Sequence, residues 1–124
     1  MMSSSSVLTC RRVIRTLLST GHLTINHAAN LIGIPVRTLQ RRLHAAGYTY
    51  TQLVDEVRIE EASRLLKVSN ARMADVAAAL GFTDPSNFSR AFLRWTGMSP
   101  KQYRRRFAVF SANGKSEYFR GGTK

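Results

Sequence analysis

The chain has 124 residues, of which 44% are hydrophobic, and 19 Lys and Arg against 7 Asp and Glu give it a formal net charge of +12. That apolar fraction supports a packed core and excludes wholesale disorder, and the length suits one compact domain or two small subdomains sharing an element. Cys10 stands alone, which excludes an intrachain disulfide, and the chain shows neither a signal-peptide h-region nor a membrane-spanning stretch, so a soluble, cytoplasmic protein is expected.

Residues 1–6 are polar and read as a disordered lead-in. A helix follows with Val7, Val13, Ile14, Leu17 and Leu18 as its apolar stripe, Arg11, Arg12 and Arg15 outward, and Gly21 as its stop. Thr24 is a suitable N-cap for the next helix, which runs to about Ile32 with Ala28, Ala29, Leu31 and Ile32 inward. Gly33 breaks it, and Pro35 opens a further helix, about Val36 to Ala46, that ends at Gly47. Thr49 and Gln52 have capping-box spacing at the start of a long helix reaching about Lys67. Its apolar residues Leu53, Val54, Val57, Ile59, Ala62, Leu65 and Leu66 cover more than one stripe, as a helix serving two cores requires. Asp55, Glu56, Glu60 and Glu61 also lie on it, spaced to pair with Arg58 or Arg64.

Ser69 and Asn70 interrupt that helix. The next begins near Arg72, turns Met73, Val76, Ala77 and Leu80 inward, and stops at Gly81. Asp84-Pro85 pairs an N-cap acid with proline at the first helical position; Phe88, Phe92 and Trp95 form the buried edge of the helix that follows, and Gly97 ends it. Ser99-Pro100 repeats this start signal for a last helix to about Phe107, and residues 109–124 read as a flexible tail. Strand signals are poor throughout. The expected fold is all-α, about seven helices in a homeodomain-like arrangement: helix-turn-helix subdomains at 7–48 and 69–108, joined by a linker helix at 49–68.

The helix-turn-helix assignment rests on a repeat. Ala29, Gly33, Ile34, Leu39, Gln40, Arg41 and Leu43 recur as Ala77, Gly81, Phe82, Phe88, Ser89, Arg90 and Phe92. The offset is 48 residues up to the turn and 49 beyond it, so the second turn carries one extra residue. Two helices that cross closely need a small side chain at the crossing and a special backbone at the turn, and alanine and glycine supply these in both copies. One such pair is weak as a signal; two with matching downstream hydrophobics are specific.

Residues 1–108 carry 16 basic and 6 acidic side chains, and only Lys67 and Lys101 of the basic ones are lysine. Arginine's planar fork matches phosphate oxygens and the guanine edge, so the composition points to double-stranded DNA. With Leu39 and Leu43 inward, the first recognition helix offers Arg37, Thr38, Gln40, Arg41 and His44 to DNA. Gln40 suits adenine, Arg37 and Arg41 suit guanine, and His44 lies toward the far end, where a plain surface role is the stronger reading. The second recognition helix offers Ser86, Asn87, Ser89 and Arg90, which are shorter and less charged. Its contact is therefore expected to lean on phosphates and shape, although Pro85 removes one N–H that would otherwise face a phosphate. Arg94, Lys101 and Arg104, with Arg105 and Arg106, are candidate backbone contacts. A linker helix of roughly 25 Å can hold two recognition helices near one DNA turn apart, so a monomer is expected to read a bipartite, non-palindromic site of about 20 base pairs.

The segment "MADVAAALGFTDPSNFSRAFLRWTGMSPKQYRRR" resembles the C-terminal signature of the AraC/XylS family of bacterial transcription regulators. Upstream, "RTLQRRLHAAGYTYTQLVDEVRIEEASRLL" is similar to that family's first helix-turn-helix and linker helix. The resemblance covers about residues 7–107. It implies base contacts at Arg37, Gln40 and Arg41 and around Ser86, Asn87, Ser89 and Arg90, and activation as the commoner mode; no cofactor or metal is expected, and RNA polymerase is an expected further partner. Family members usually carry a separate N-terminal effector-binding or dimerisation domain, while some single-domain members act as monomers. The wording of the first unit looks more like the two-domain members. The expectation is thus the DNA-binding part of a longer regulator, monomeric by itself, with any effector bound by the other domain.

Two other classes compete with this reading. An enzyme lacks support: His22, His27 and His44 have no i, i+4 metal-pair spacing, Cys10 has no partner, and Asp75 and Asp84 are better explained as helix-start residues. The other is a basic module for RNA or an acidic protein; single-stranded RNA recognition would expose aromatic side chains, whereas the aromatics here fall at core-facing positions.

Overall fold

A computed structural model describes residues 2–109, and every regular element among them is an α-helix. The helices are α1 (Met2–Leu17), α2 (Ile25–Ile32), α3 (Val36–Ala45), α4 (Tyr50–Val68), α5 (Met73–Ala79), α6 (Pro85–Thr96) and α7 (Pro100–Phe107). The chain forms two compact units that divide between Arg58 and Ile59, inside α4. This division falls within the expected linker helix at 49–68. Leu53, Val54 and Val57 are buried in the first unit, and Ala62 and Leu66 in the second.

Local chemistry explains the helix boundaries. The Thr24 hydroxyl accepts from the His27 N–H at 3.3 Å, and the Asp84 carboxylate accepts from the Ser86 N–H at 2.9 Å. Both halves of a capping box form at Thr49 and Gln52 (2.8 and 3.1 Å) and again at Ser99 and Gln102 (2.9 and 3.1 Å). Each satisfies donors that a helix start would otherwise leave unpaired, for about 1 kcal/mol. Pro35 caps α3 by backbone shape alone, since it makes no side-chain bond.

Both helix-turn-helix turns close on the repeated alanine. The Ile34 N–H donates to the Ala29 carbonyl at 3.1 Å, and the Phe82 N–H to the Ala77 carbonyl at 2.9 Å. Gly33 and Gly81, each at φ +89°, supply the left-handed backbone that this closure needs. The alanines are themselves buried, at 2% and 1% exposure, so one residue accepts the turn bond and leaves room for the crossing helix. The extra residue of the second unit lies between this turn and the next helix, because the N-caps Pro35 and Asp84 already differ by 49.

The two cores differ in character. In the first unit, Cys10, Ile14, Ala28, Leu39, Leu43, Leu53 and Val57 are buried to 1% exposure or less, an almost wholly aliphatic set. The second is aromatic: Phe88 packs on Phe82 and Phe92 with ring centroids 5.8 Å apart, and Tyr103 meets Phe92 edge-on at 5.3 Å. Such pairs add about 0.5–1.5 kcal/mol beyond the area they bury.

Several expectations are corrected. Residues 2–6, expected as a lead-in, fall within the bounds of α1. Leu31 is 60% exposed. On a helix advancing about 100° per residue it lies more than a quarter turn from the Ala28–Ala29–Ile32 face, so a two-turn helix cannot bury both. Arg11 does not point simply outward: its guanidinium pairs with Glu56 and sits 6.0 Å from the Tyr48 ring. Of the α4 acids, Glu61 pairs with Arg64 as its spacing suggests. The expected tail falls almost wholly on residues 110–124, outside those described.

Candidate nucleic-acid interface

The surface offered by α3 follows from its helical period. Arg37, Gln40, Arg41 and His44 are spaced i, i+3, i+4 and i+7, fall within about a third of the circumference and are all exposed, while Leu39 and Leu43 point the other way at 1% exposure. The two leucines anchor the helix and leave four polar side chains in a row. Thr38 lies beside this row and is half-buried, so it borders the surface. Arg42 also complements the negative end of the helix dipole, a role it has without any DNA. Three of the row, Gln40, Arg41 and His44, line with Tyr48 and residues 49–51 an open cavity of about 510 Å³. The Tyr50 hydroxyl donates to the Leu23 and Thr24 carbonyls at 3.5 and 3.4 Å.

In the second unit, α6 has the same layout. Phe88 and Phe92 are fully buried, and Ser86, Ser89 and Arg90 line the opposite side, with Ser89 half-buried. Leu93 completes the i, i+3, i+4, i+7 row at the place His44 holds on α3, and is 50% exposed. Sequence reasoning passed over Leu93 because it weighed polar residues only; the helical spacing was the available signal. Asn87 is exposed beside the row and accepts from the Arg90 guanidinium on the next turn. Pro85 occupies the first helical position, and Asp84 satisfies the Ser86 N–H directly.

The candidate backbone contacts separate into two groups. Arg94, Lys101, Arg105 and Arg106 are exposed. Arg104 is half-buried, and its Nε donates to the Leu66 carbonyl at 3.3 Å. Burial lowers this guanidinium below arginine's ordinary value. The structure thus ties Arg104 on α7 to the carbonyl of Leu66 on α4.

Among the described residues, no three His, Cys, Asp or Glu side chains converge as metal ligands, and no helix is long and apolar enough to cross a membrane. Folding does bring His22 and His27 into a stack with centroids 4.7 Å apart, a contact that their spacing along the chain did not suggest.

Comparison with known proteins turns this geometry into an identity. The family model described as a helix-turn-helix domain matches residues 28–106, which span both turns and both recognition helices. The chain belongs to the AraC-type helix-turn-helix family. Within this family it is similar to the ornithine utilization regulator of Pseudomonas aeruginosa, 40% identical over 80 residues, covering 64% of this chain and 24% of that protein. It is also similar to the transcriptional activator NphR of a Rhodococcus species, 35% identical over 98 residues, covering 79% and 29%. The chain spans about a quarter of the length of the curated relatives it matches.

Solved structures of the family superpose on it. The C-terminal domain of AraT, a response regulator from Geobacillus stearothermophilus, matches with a TM-score of 0.74 and 27% identity, covering 94% of this chain and 93% of that one. The DNA-binding domain of AdpA, solved in complex with a target DNA, matches with a TM-score of 0.62 and 28% identity over 77% and 88%. The chain is an AraC-type, all-α DNA-binding domain.

Proposed function

We propose that this domain delivers a transcription regulator, most simply an activator, to a bipartite and asymmetric duplex site. In this reading α3 and α6 each enter a major-groove segment, and the remainder of the regulator supplies effector response and contact with RNA polymerase. The observation that carries it is the exposed row Arg37, Gln40, Arg41 and His44, held on α3 by two fully buried leucines. Their chemistry matches base edges: arginine donates twice to guanine O6 and N7, and glutamine both donates to and accepts from adenine. The α6 row shares the frame but not the residues, so the two halves of the site differ and a palindrome is not required. Exposed Arg94, Lys101, Arg105 and Arg106 contribute phosphate contacts, which set affinity and its salt dependence. An activator role is supported by the name of the similar NphR.

Selection of binding sites from a random duplex pool tests this reading. An enriched, non-palindromic sequence with two conserved blocks is expected; enrichment of single-stranded RNA over duplex at matched salt would reject it.

A further inference from the structure

On α6, two exposed side chains already act on each other. Nη2 of Arg90 donates to Oδ1 of Asn87, one helical turn earlier. Arg90 lies in the outward row opposite Phe88 and Phe92, whereas Asn87 lies at the edge of that row. A free arginine chain samples many rotamers and must lose that freedom to bind. The amide oxygen restricts Arg90 to conformers on the N-terminal side of its own turn, where a recognition helix meets base edges. One N–H of five is used in this contact, and the fork keeps enough donors for the two acceptors of guanine.

Unit one lacks this device. At the residue three before Arg41 stands Thr38, which is half-buried and has a hydroxyl one bond nearer the backbone than an asparagine amide oxygen. The two recognition helices therefore carry an arginine at the same repeat position with different support.

We propose that Asn87 is a positioning residue for Arg90, and that Arg90 reads a guanine in the second half of the site. This rests on the DNA-binding reading above, in which a base contact around Arg90 is already expected, and sharpens it by naming the side chain that orients that arginine. The asparagine is then a specificity determinant without reading its own base.

Site selection with the unaltered chain and with Arg90→Ala, Asn87→Ala and Asn87→Asp tests it. Arg90→Ala should abolish the guanine preference at one position of the second block, a loss of roughly 5- to 150-fold discrimination for a bidentate pair. Asn87→Ala should weaken preference at that same position by about 3- to 10-fold, as expected for loss of one supporting hydrogen bond, and leave the first block unchanged. Asn87→Asp keeps an acceptor in reach of Arg90; guanine preference should survive while affinity for all duplexes falls, because the added carboxylate repels phosphate. A lost preference in Asn87→Ala at a different position, such as an adenine read by Asn87 itself, overturns the proposal. So does an equal loss on every sequence, the result of a purely structural role. If the unaltered chain enriches no duplex, the DNA-binding reading itself fails, an outcome distinct from either.

Discussion

Arg104 on α7 donates from Nε to the Leu66 carbonyl on the last turns of α4 at 3.3 Å. Just beyond, the Val109 N–H donates to the Lys67 carbonyl at 2.9 Å. Carbonyls at a helix C-terminus have no partner within their own helix, and these two bonds supply partners from α7 and from the residues just after it. Arg104→Ala is therefore expected to lower the stability of the second unit by about 1–3 kcal/mol, read as a reduced Tm by circular dichroism. Lys101→Ala, at an exposed position on the same helix, should leave Tm unchanged and reduce the slope of log affinity against log salt by about one. An unaltered Tm in Arg104→Ala would show that its bond to Leu66 does not stabilise the unit.

Arg41 is the sharpest test on the first recognition helix. It is exposed at mid-helix between buried Leu39 and Leu43. Arg41→Ala should cost about 1–3 kcal/mol on the selected site and relax one base preference in its first half. Competition titrations against random duplex check this, since an equal loss on both DNAs would mark a phosphate contact.

Gly33 adopts φ +89°, and a Cβ placed there meets nothing within 4 Å. The cost of Gly33→Ala is thus conformational rather than steric crowding, about 1–2 kcal/mol for a left-handed backbone. Denaturant unfolding should show this loss in the first unit; full stability would mean that the turn relaxes to another conformation.

Cys10 predicts an alkaline limit. It is fully buried, and desolvation pushes its thiol from 9.0 up to about 11. Burial, followed by the Cys10 charge, likewise raises Tyr50 from 10.0 to about 12. An acid whose pKa rises on folding keeps its proton longer in the folded chain. Above pH 9 the unfolded chain releases the thiol proton first, so stability is complete below pH 9 and declines through about pH 11. The Cys10 contribution amounts to about 2–3 kcal/mol once both states are ionised. Thermal melts of Cys10→Ala should start lower, because a small cavity is left, but decline less between pH 9 and 11. Equal slopes for the two proteins would show that Cys10 does not drive the loss.

The sequence by itself determined the elements and the repeat. Thr24, the Thr49–Gln52 and Ser99–Gln102 boxes, and Asp84-Pro85 act within one turn of their own position, so their chemistry is complete in the local sequence. The same holds for Gly33 and Gly81, whose left-handed backbone is a property of the residue, and for the outward row of α3, which period alone assigns once Leu39 and Leu43 are inside. Only the tertiary structure decided which of several available faces a neighbour covers. It buried Cys10 and left Leu31 in solvent, drew Arg11 to Glu56 across 45 residues of sequence, and turned Arg104 onto the Leu66 carbonyl across 38. Long arginine chains can reach solvent or a distant carbonyl at similar local cost. What selects between them is the desolvation and hydrogen bonding available where the helices pack, and those exist only once each unit has folded.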